Sequence, residues 1–134
     1  MKGSCLCGSV RYEISGAFKF IGNCHCSICR KSNGAAFASW GIIDPAQFRW
    51  TAGERILHAY PSSPGTERCF CSRCGSPLVA RHGRAVTEVV VATLDDNPGM
   101  RPSEHIFVGS KAPWHEITDA LPRYDEWPAE SQNA

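Results

Sequence analysis

The stretch Cys24-His25-Cys26-Ser27-Ile28-Cys29 is the middle of three cysteine clusters. Cys5-Leu6-Cys7 precedes it, and Cys69-Phe70-Cys71-Ser72-Arg73-Cys74-Gly75 follows it. All 8 cysteines of the chain fall in these clusters. Cysteines placed for packing would scatter through apolar runs. Pairs two and three residues apart have the spacing of a chelate, because two thiolates at that separation close on one ion through a tight turn. Cys71-x-x-Cys74-Gly75 is the strongest single case, since its glycine can take the positive φ that such a turn often demands.

The bulk numbers narrow what these clusters serve. A chain of 134 residues, 43% of them hydrophobic, suggests one domain with a modest core. We expect it to span residues 1–128, with a disordered tail over 129–134. Fourteen basic against 13 acidic residues leave a net charge of +1, without the basic surplus that nucleic-acid binding requires. No run of 18 apolar residues exists, so a spanning helix is excluded. Met1-Lys2-Gly3-Ser4-Cys5 has no apolar signal core, which points to the cytoplasm, where thiols stay reduced. The cysteines are therefore read as metal ligands before disulfides.

Around the clusters the pattern is β. Val10, Tyr12 and Ile14 alternate with polar residues as a half-buried strand, and Phe18 to Ile21 leads into the central cluster as a second. Ser27 to Gly34 reads as a turn or a single helical turn around the metal. Ala35 to Ile43 suits a buried strand, Asp44-Pro45 a turn or short-helix start, and Phe48-Arg49-Trp50 a short strand. Pro61 to Gly65 reads as a loop. Strands are expected over Thr66 to Phe70, Val86 to Leu94 (buried on both faces) and Ile106 to Val108; between the first two, Pro77 to Arg81 leaves the third cluster and His82-Gly83-Arg84 turns the chain. From Pro113 the chain reads as an irregular tail over the core. No helical period is sustained, and 12 Gly and 9 Pro separate short segments, as in an all-β domain.

Ligand counting divides the thiols. A structural zinc takes four protein ligands, whereas a catalytic zinc keeps three and leaves a place open. The simplest closed site joins Cys5 and Cys7 to Cys71 and Cys74, stapling the first strand to the later sheet across a long loop. Cys24, Cys26 and Cys29 then remain as a three-thiolate set with one face uncovered, which an incoming thiolate suits. Zinc lowers a thiol's pKa and holds the anion near its partner. Cys69 could close this second site as a fourth ligand, stand as a spare buried thiol, or face the ligand as a redox group. Iron also fits all-thiolate sites, but the Cys-x-Cys spacing and the lack of a cluster-type run favour zinc.

The residues also resemble a family. Gly3-Ser4-Cys5-Leu6-Cys7-Gly8-Ser9-Val10-Arg11-Tyr12, Cys24-His25-Cys26-Ser27-Ile28-Cys29-Arg30-Lys31 and Phe70-Cys71-Ser72-Arg73-Cys74-Gly75-Ser76-Pro77-Leu78 resemble three motifs of the glutathione-dependent formaldehyde-activating enzyme family, also called the CENP-V type. Leu94-Asp95-Asp96, His105-Ile106 and Lys111-Ala112-Pro113-Trp114 resemble its downstream signature. The resemblance implies an all-β, Mss4-like fold of several small twisted antiparallel sheets stapled by zinc. It implies two zinc ions per chain: a structural one at Cys5, Cys7, Cys71 and Cys74, and a catalytic one at Cys24, Cys26 and Cys29, near which glutathione binds. The family's reaction is carbon–sulfur lyase chemistry, interconverting glutathione and formaldehyde with S-hydroxymethylglutathione. Cys69 departs from the family pattern, since that position is not usually a ligand.

Other polar residues invite two readings each. His25, between two ligands, points away from their face if the segment is extended; it is either solvent-facing or backbone-bonded, or it handles a proton near the metal. Arg30 and Lys31 either meet a glutathione carboxylate or are solvated loop charges. The four tryptophans favour packing over ligand platforms. Two functions follow. One is a zinc enzyme acting on a small-molecule thiol adduct of an aldehyde, with no nucleic-acid or membrane partner. The other is a zinc-stabilised binding module in which both sites are structural.

Overall fold

Buried Tyr12 and Ile14 alternate with exposed Arg11 and half-buried Glu13, and this alternation places a strand on the core. The computed structural model describes residues 1–128, and the expected disorder of 129–134 lies outside the described residues. In chain order the elements are β1 (Lys2–Ser4), β2 (Arg11–Ile14), β3 (Phe20–Cys24), α1 (Ser27–Asn33), β4 (Ala38–Ile42), β5 (Phe48–Ala52), β6 (Leu57–Ser63), β7 (Thr66–Cys71), β8 (Pro77–His82), β9 (Ala85–Val90) and β10 (Glu104–Ile106). They build a mostly β fold of two sheets. One has three strands, ordered β1-β2-β5; the other has seven, ordered β10-β3-β4-β9-β8-β7-β6. Every pairing is antiparallel except β10 with β3, which is parallel and sets Ile106 against Cys24.

The main core lies between the sheets, where Tyr12, Ile14, Phe18, Ile21, Ile43, Leu78, Val79 and Val89 are buried together. A second buried group gathers Cys24, Cys29, Ala38, Trp40, Ala80 and Val90. Gly41 is required for this packing, since a Cβ there would stand 2.5 Å from the Phe18 ring.

Three expectations are corrected. Pro61 to Gly65 is not wholly a loop: β6 continues to Ser63, with Pro61 opposite Glu67. β6 is the edge of its sheet, where a residue without an N–H costs no ladder bond. The Val86 to Leu94 strand stops at Val90, where Val91–Thr93 forms a 3-10 turn and the Thr93 hydroxyl donates to the Val90 carbonyl at 2.8 Å. That turn redirects the chain to β1, where the Asp95 amide donates to the Lys2 carbonyl. The last strand is Glu104–Ile106 rather than Ile106 to Val108, because Phe107 turns left-handed (φ 54°) and sets its ring edge-on to Trp127.

Candidate metal centres

Two hairpin-like turns face each other at the first centre. After Cys5, the Gly8 amide returns to the Cys5 carbonyl at 3.0 Å, and the Val10 amide points at Cys5 Sγ at 3.3 Å. After Cys71, the Gly75 amide returns to the Cys71 carbonyl at 2.8 Å, with Gly75 at φ 80° as the turn demands. Ser76 joins the turns, its hydroxyl accepting from the Leu6 amide at 2.9 Å. The sulfurs of Cys5, Cys7, Cys71 and Cys74 all lie within 4.8 Å of one another. Cys5 and Cys7 stand 3.6 Å apart, Cys7 and Cys71 3.8 Å. A tetrahedron with metal–sulfur bonds of about 2.3 Å has edges of about 3.8 Å, so the donor set fits a closed thiolate site for zinc. The Ser76 hydroxyl, and then the backbone amides of Ser76 and Cys7, hold the Cys74 thiol down at about 5, which readies it as a ligand.

The second centre is built on a helix start. Cys26 is the N-cap of α1, and its sulfur accepts from the Cys29 amide at 3.3 Å. The helix runs for seven residues, longer than the expected single turn, and Gly34 closes it in the left-handed region. β3 delivers Cys24 beside it, and the sulfurs of Cys24, Cys26 and Cys29 lie within 4.8 Å of one another. Hydrogen bonding from the Cys24 and Cys29 thiols holds Cys26 far below the usual thiol range, while Cys24 is pushed up against Cys26 and Cys29 and by burial. Left to themselves, such close sulfurs share one negative charge; a cation lets all three ionise. The donor set therefore suits a thiophilic divalent metal.

Cys69 belongs to neither cysteine group. It is buried in the main core, opposite Ala59 and Val79, and burial pushes its thiol up. All 8 cysteines are free thiols.

A cavity of about 580 Å³ opens beside the second centre, between α1 and strands β6 to β8. Trp40 and Arg68 line it, and both donate to Cys29 Sγ, at 3.3 and 3.5 Å. Arg68 also donates to Ser62 Oγ at 3.1 Å and Ser32 Oγ at 3.0 Å, and lies 5.3 Å from the Trp40 ring centroid. These bonds use three of the five guanidinium N–H groups. Lys31, Ser32, Asn33 and Cys69 also line the cavity. Arg30 does not; its guanidinium donates to the His25 carbonyl at 3.3 Å. His25 is fully buried rather than solvent-facing, its Nε2 2.8 Å from His105 Nδ1. Sequence reasoning missed Arg68, which carries no local motif, and singled out His105 only within the downstream signature, not as the partner of His25; both reach the centre through strand pairing.

Among the described residues no helix is long and apolar enough to cross a membrane. The profile of the glutathione-dependent formaldehyde-activating enzyme family matches residues 1–110. A Halomonas elongata protein whose name places it in that family is 34% identical over 129 residues, covering 87% of this chain and 80% of that protein. A Fusarium vanettenii protein named likewise is 35% identical over 79 residues, of which this chain spans 42% of the length. A crystal structure of a Rhodobacter sphaeroides protein superposes with a TM-score of 0.57 at 30% identity, over 74% of this chain and 93% of that one. With the cysteine geometry and these matches in agreement, the chain belongs to the glutathione-dependent formaldehyde-activating enzyme family.

Proposed function

We propose that the chain is a zinc-dependent carbon–sulfur lyase acting on an aldehyde adduct of glutathione or a similar small thiol. The observation that carries this reading is the second centre itself. Three sulfurs converge there without a fourth metal-ligating group among the described residues, beside a cavity large enough for a tripeptide thiol. The first centre, with four sulfurs, is read as structural. Zinc at the second would supply Lewis-acid stabilisation of negative charge on sulfur.

The chain's own residues then bind and orient. Arg68 presents two unused N–H groups to a carboxylate of the thiol, and Lys31 adds a second positive charge. Trp40, Tyr60 and Phe70 offer an apolar surface to the body of the adduct. In the cleavage direction the adduct hydroxyl loses its proton to solvent, its oxygen forms the carbonyl double bond, and the carbon–sulfur pair returns to sulfur. Addition is the reverse, with the carbonyl oxygen taking up the proton.

Exchange NMR on mixtures of glutathione and an aldehyde tests this. The expected result is faster interconversion of free aldehyde and adduct with the zinc-loaded protein, lost in Cys29→Ser. Interconversion at the uncatalysed rate, with formaldehyde and larger aldehydes alike, would support the binding-module reading instead.

A further inference from the structure

His25 and His105 are both buried, and neither has a part in the lyase reading. They lie in a chain of three groups. Asp119, partly exposed, sets its carboxylate oxygens 3.1 and 3.0 Å from His105 Nε2. His105 Nδ1 in turn lies 2.8 Å from His25 Nε2. His25 Nδ1 is buried without a hydrogen-bond partner among the described residues. Phe37 and His115 pack around the His25 ring, with centroids at 5.0 and 6.1 Å.

The polarity of the chain follows from its end. An ionised carboxylate only accepts, so His105 Nε2 carries the hydrogen. In the neutral ring Nδ1 is then bare, and it accepts from His25 Nε2–H. Only one hydrogen fits between nitrogens 2.8 Å apart, so Asp119 dictates the tautomer of both rings.

The backbone shows what the chain holds. His25 lies between Cys24 and Cys26, and its amide donates to the Ile106 carbonyl at 3.0 Å. His105 donates its amide to the Pro122 carbonyl and accepts from the Tyr124 amide. Arg123 returns to the carbonyls of Ile117 and Asp119 at 3.0 and 3.2 Å, and the Leu121 amide donates to Asp119 Oδ1. The segment from Ile117 to Tyr124 is thus strapped across β10, and its one side-chain link to the cysteine segment among the described bonds runs through these rings.

We propose that Asp119 is a positioning residue for the second centre: through His105 it fixes the hydrogen of His25 on Nε2 and so locks the segment that carries Cys24 and Cys26. The proposal rests on the reading of Cys24, Cys26 and Cys29 as a metal centre. Groups hydrogen-bonded directly to a metal ligand typically hold about 10–100-fold in metal affinity when intact, and Asp119 acts from further out, through two rings. Asp119→Ala therefore weakens cobalt at the second centre by about 10-fold, the low end of that range, and leaves the first unchanged. Asp119→Asn, whose side-chain oxygen accepts the same hydrogen, stays close to wild type.

Cobalt titration of the full chain, read by the visible bands of the two sites, measures these affinities. Nitrogen-15 NMR of the histidine rings reads the tautomers. Both rings as Nε2–H in wild type, with a mixture in Asp119→Ala, supports the latch. Any other wild-type pattern overturns it, whether or not the variants fold. So does a second cobalt held as tightly in Asp119→Ala as in wild type, or an equal loss in Asp119→Asn. If wild type takes one cobalt only, the metal reading fails, and the latch is judged on amide exchange of His25 and Cys26. Faster exchange in Asp119→Ala then supports it, and unchanged exchange overturns it.

Discussion

Cys69→Ala separates a core thiol from a ligand. The side chain is 1% exposed and sits among Leu78, Val79 and Val89, outside both cysteine groups. Deleting its sulfur removes roughly a methylene's worth of burial, about 0.8 kcal/mol. The gap left, about 25 Å³, costs about 0.6 kcal/mol more at the usual cavity penalty. A loss of about 1.4 kcal/mol lowers the melting temperature of a chain this size by roughly 4–7 °C. Cys69→Ser is worse, because a buried hydroxyl without a partner costs about 1–3 kcal/mol. Both variants are expected to bind as many metals as the wild type, two per chain on the proposed reading. Native mass spectrometry counts the metals, and calorimetry of the metal-saturated proteins gives the melting shifts. A single metal in Cys69→Ala would refute the core assignment and make Cys69 the fourth ligand. The second centre would then be closed, and the lyase reading would lose its open position.

The other predictions concern charge. Arg68→Gln removes the guanidinium that faces the cavity, and losing one charge-assisted contact of about 1.5–3 kcal/mol weakens glutathione binding by about 10–150-fold. Calorimetric titration measures this, and unchanged affinity would take Arg68 out of the binding site. Burial pushes the Glu88 carboxyl up, with His82 and Arg68 offsetting part of the effect. The folded state then holds this proton more tightly than the unfolded one, so its contribution to stability falls as pH rises through and above the ordinary carboxylate range. Glu88→Gln should thus raise the melting temperature at pH 7 and change it little at pH 4, whereas equal shifts at both would refute the burial effect. Burial likewise pushes Tyr12 up to about 12, so stability should drop further between pH 10 and 12, and Tyr12→Phe should flatten that fall in thermal melts. An unchanged slope would count against it.

How much was legible follows from how local each signal is. Both cysteine groups could be read because each ligand pair or triple lies within a few residues, and a chelating turn leaves its spacing in the sequence. Even the join between Cys7 and Cys71 yielded to counting ligands. Alternation found β2, and the breaks at glycine and proline found most of the other strands. Arg68 left no such trace, since Ser32 and Cys29 meet it only after β6, β7 and α1 come together. His105 stood in the downstream signature, but its contact with His25 was hidden for the same reason: the parallel pairing of β10 with β3 joins residues 80 apart. Pro61 misled because punctuation in a sequence does not say whether a strand lies at the edge of a sheet.

The first centre also has a consequence for biosynthesis. Cys7 and Cys71 are separated by 64 residues, so one pair of ligands leaves the ribosome well before the other. At about 5–20 residues per second the earlier pair waits roughly 3–13 s for its partners. During that interval Cys5 and Cys7 are an exposed dithiol, open to oxidants and to competing metals. Cys24, Cys26 and Cys29 emerge together and can capture an ion at once. If both groups take metal as proposed, the three-sulfur set is complete in the emerging chain before the four-sulfur set.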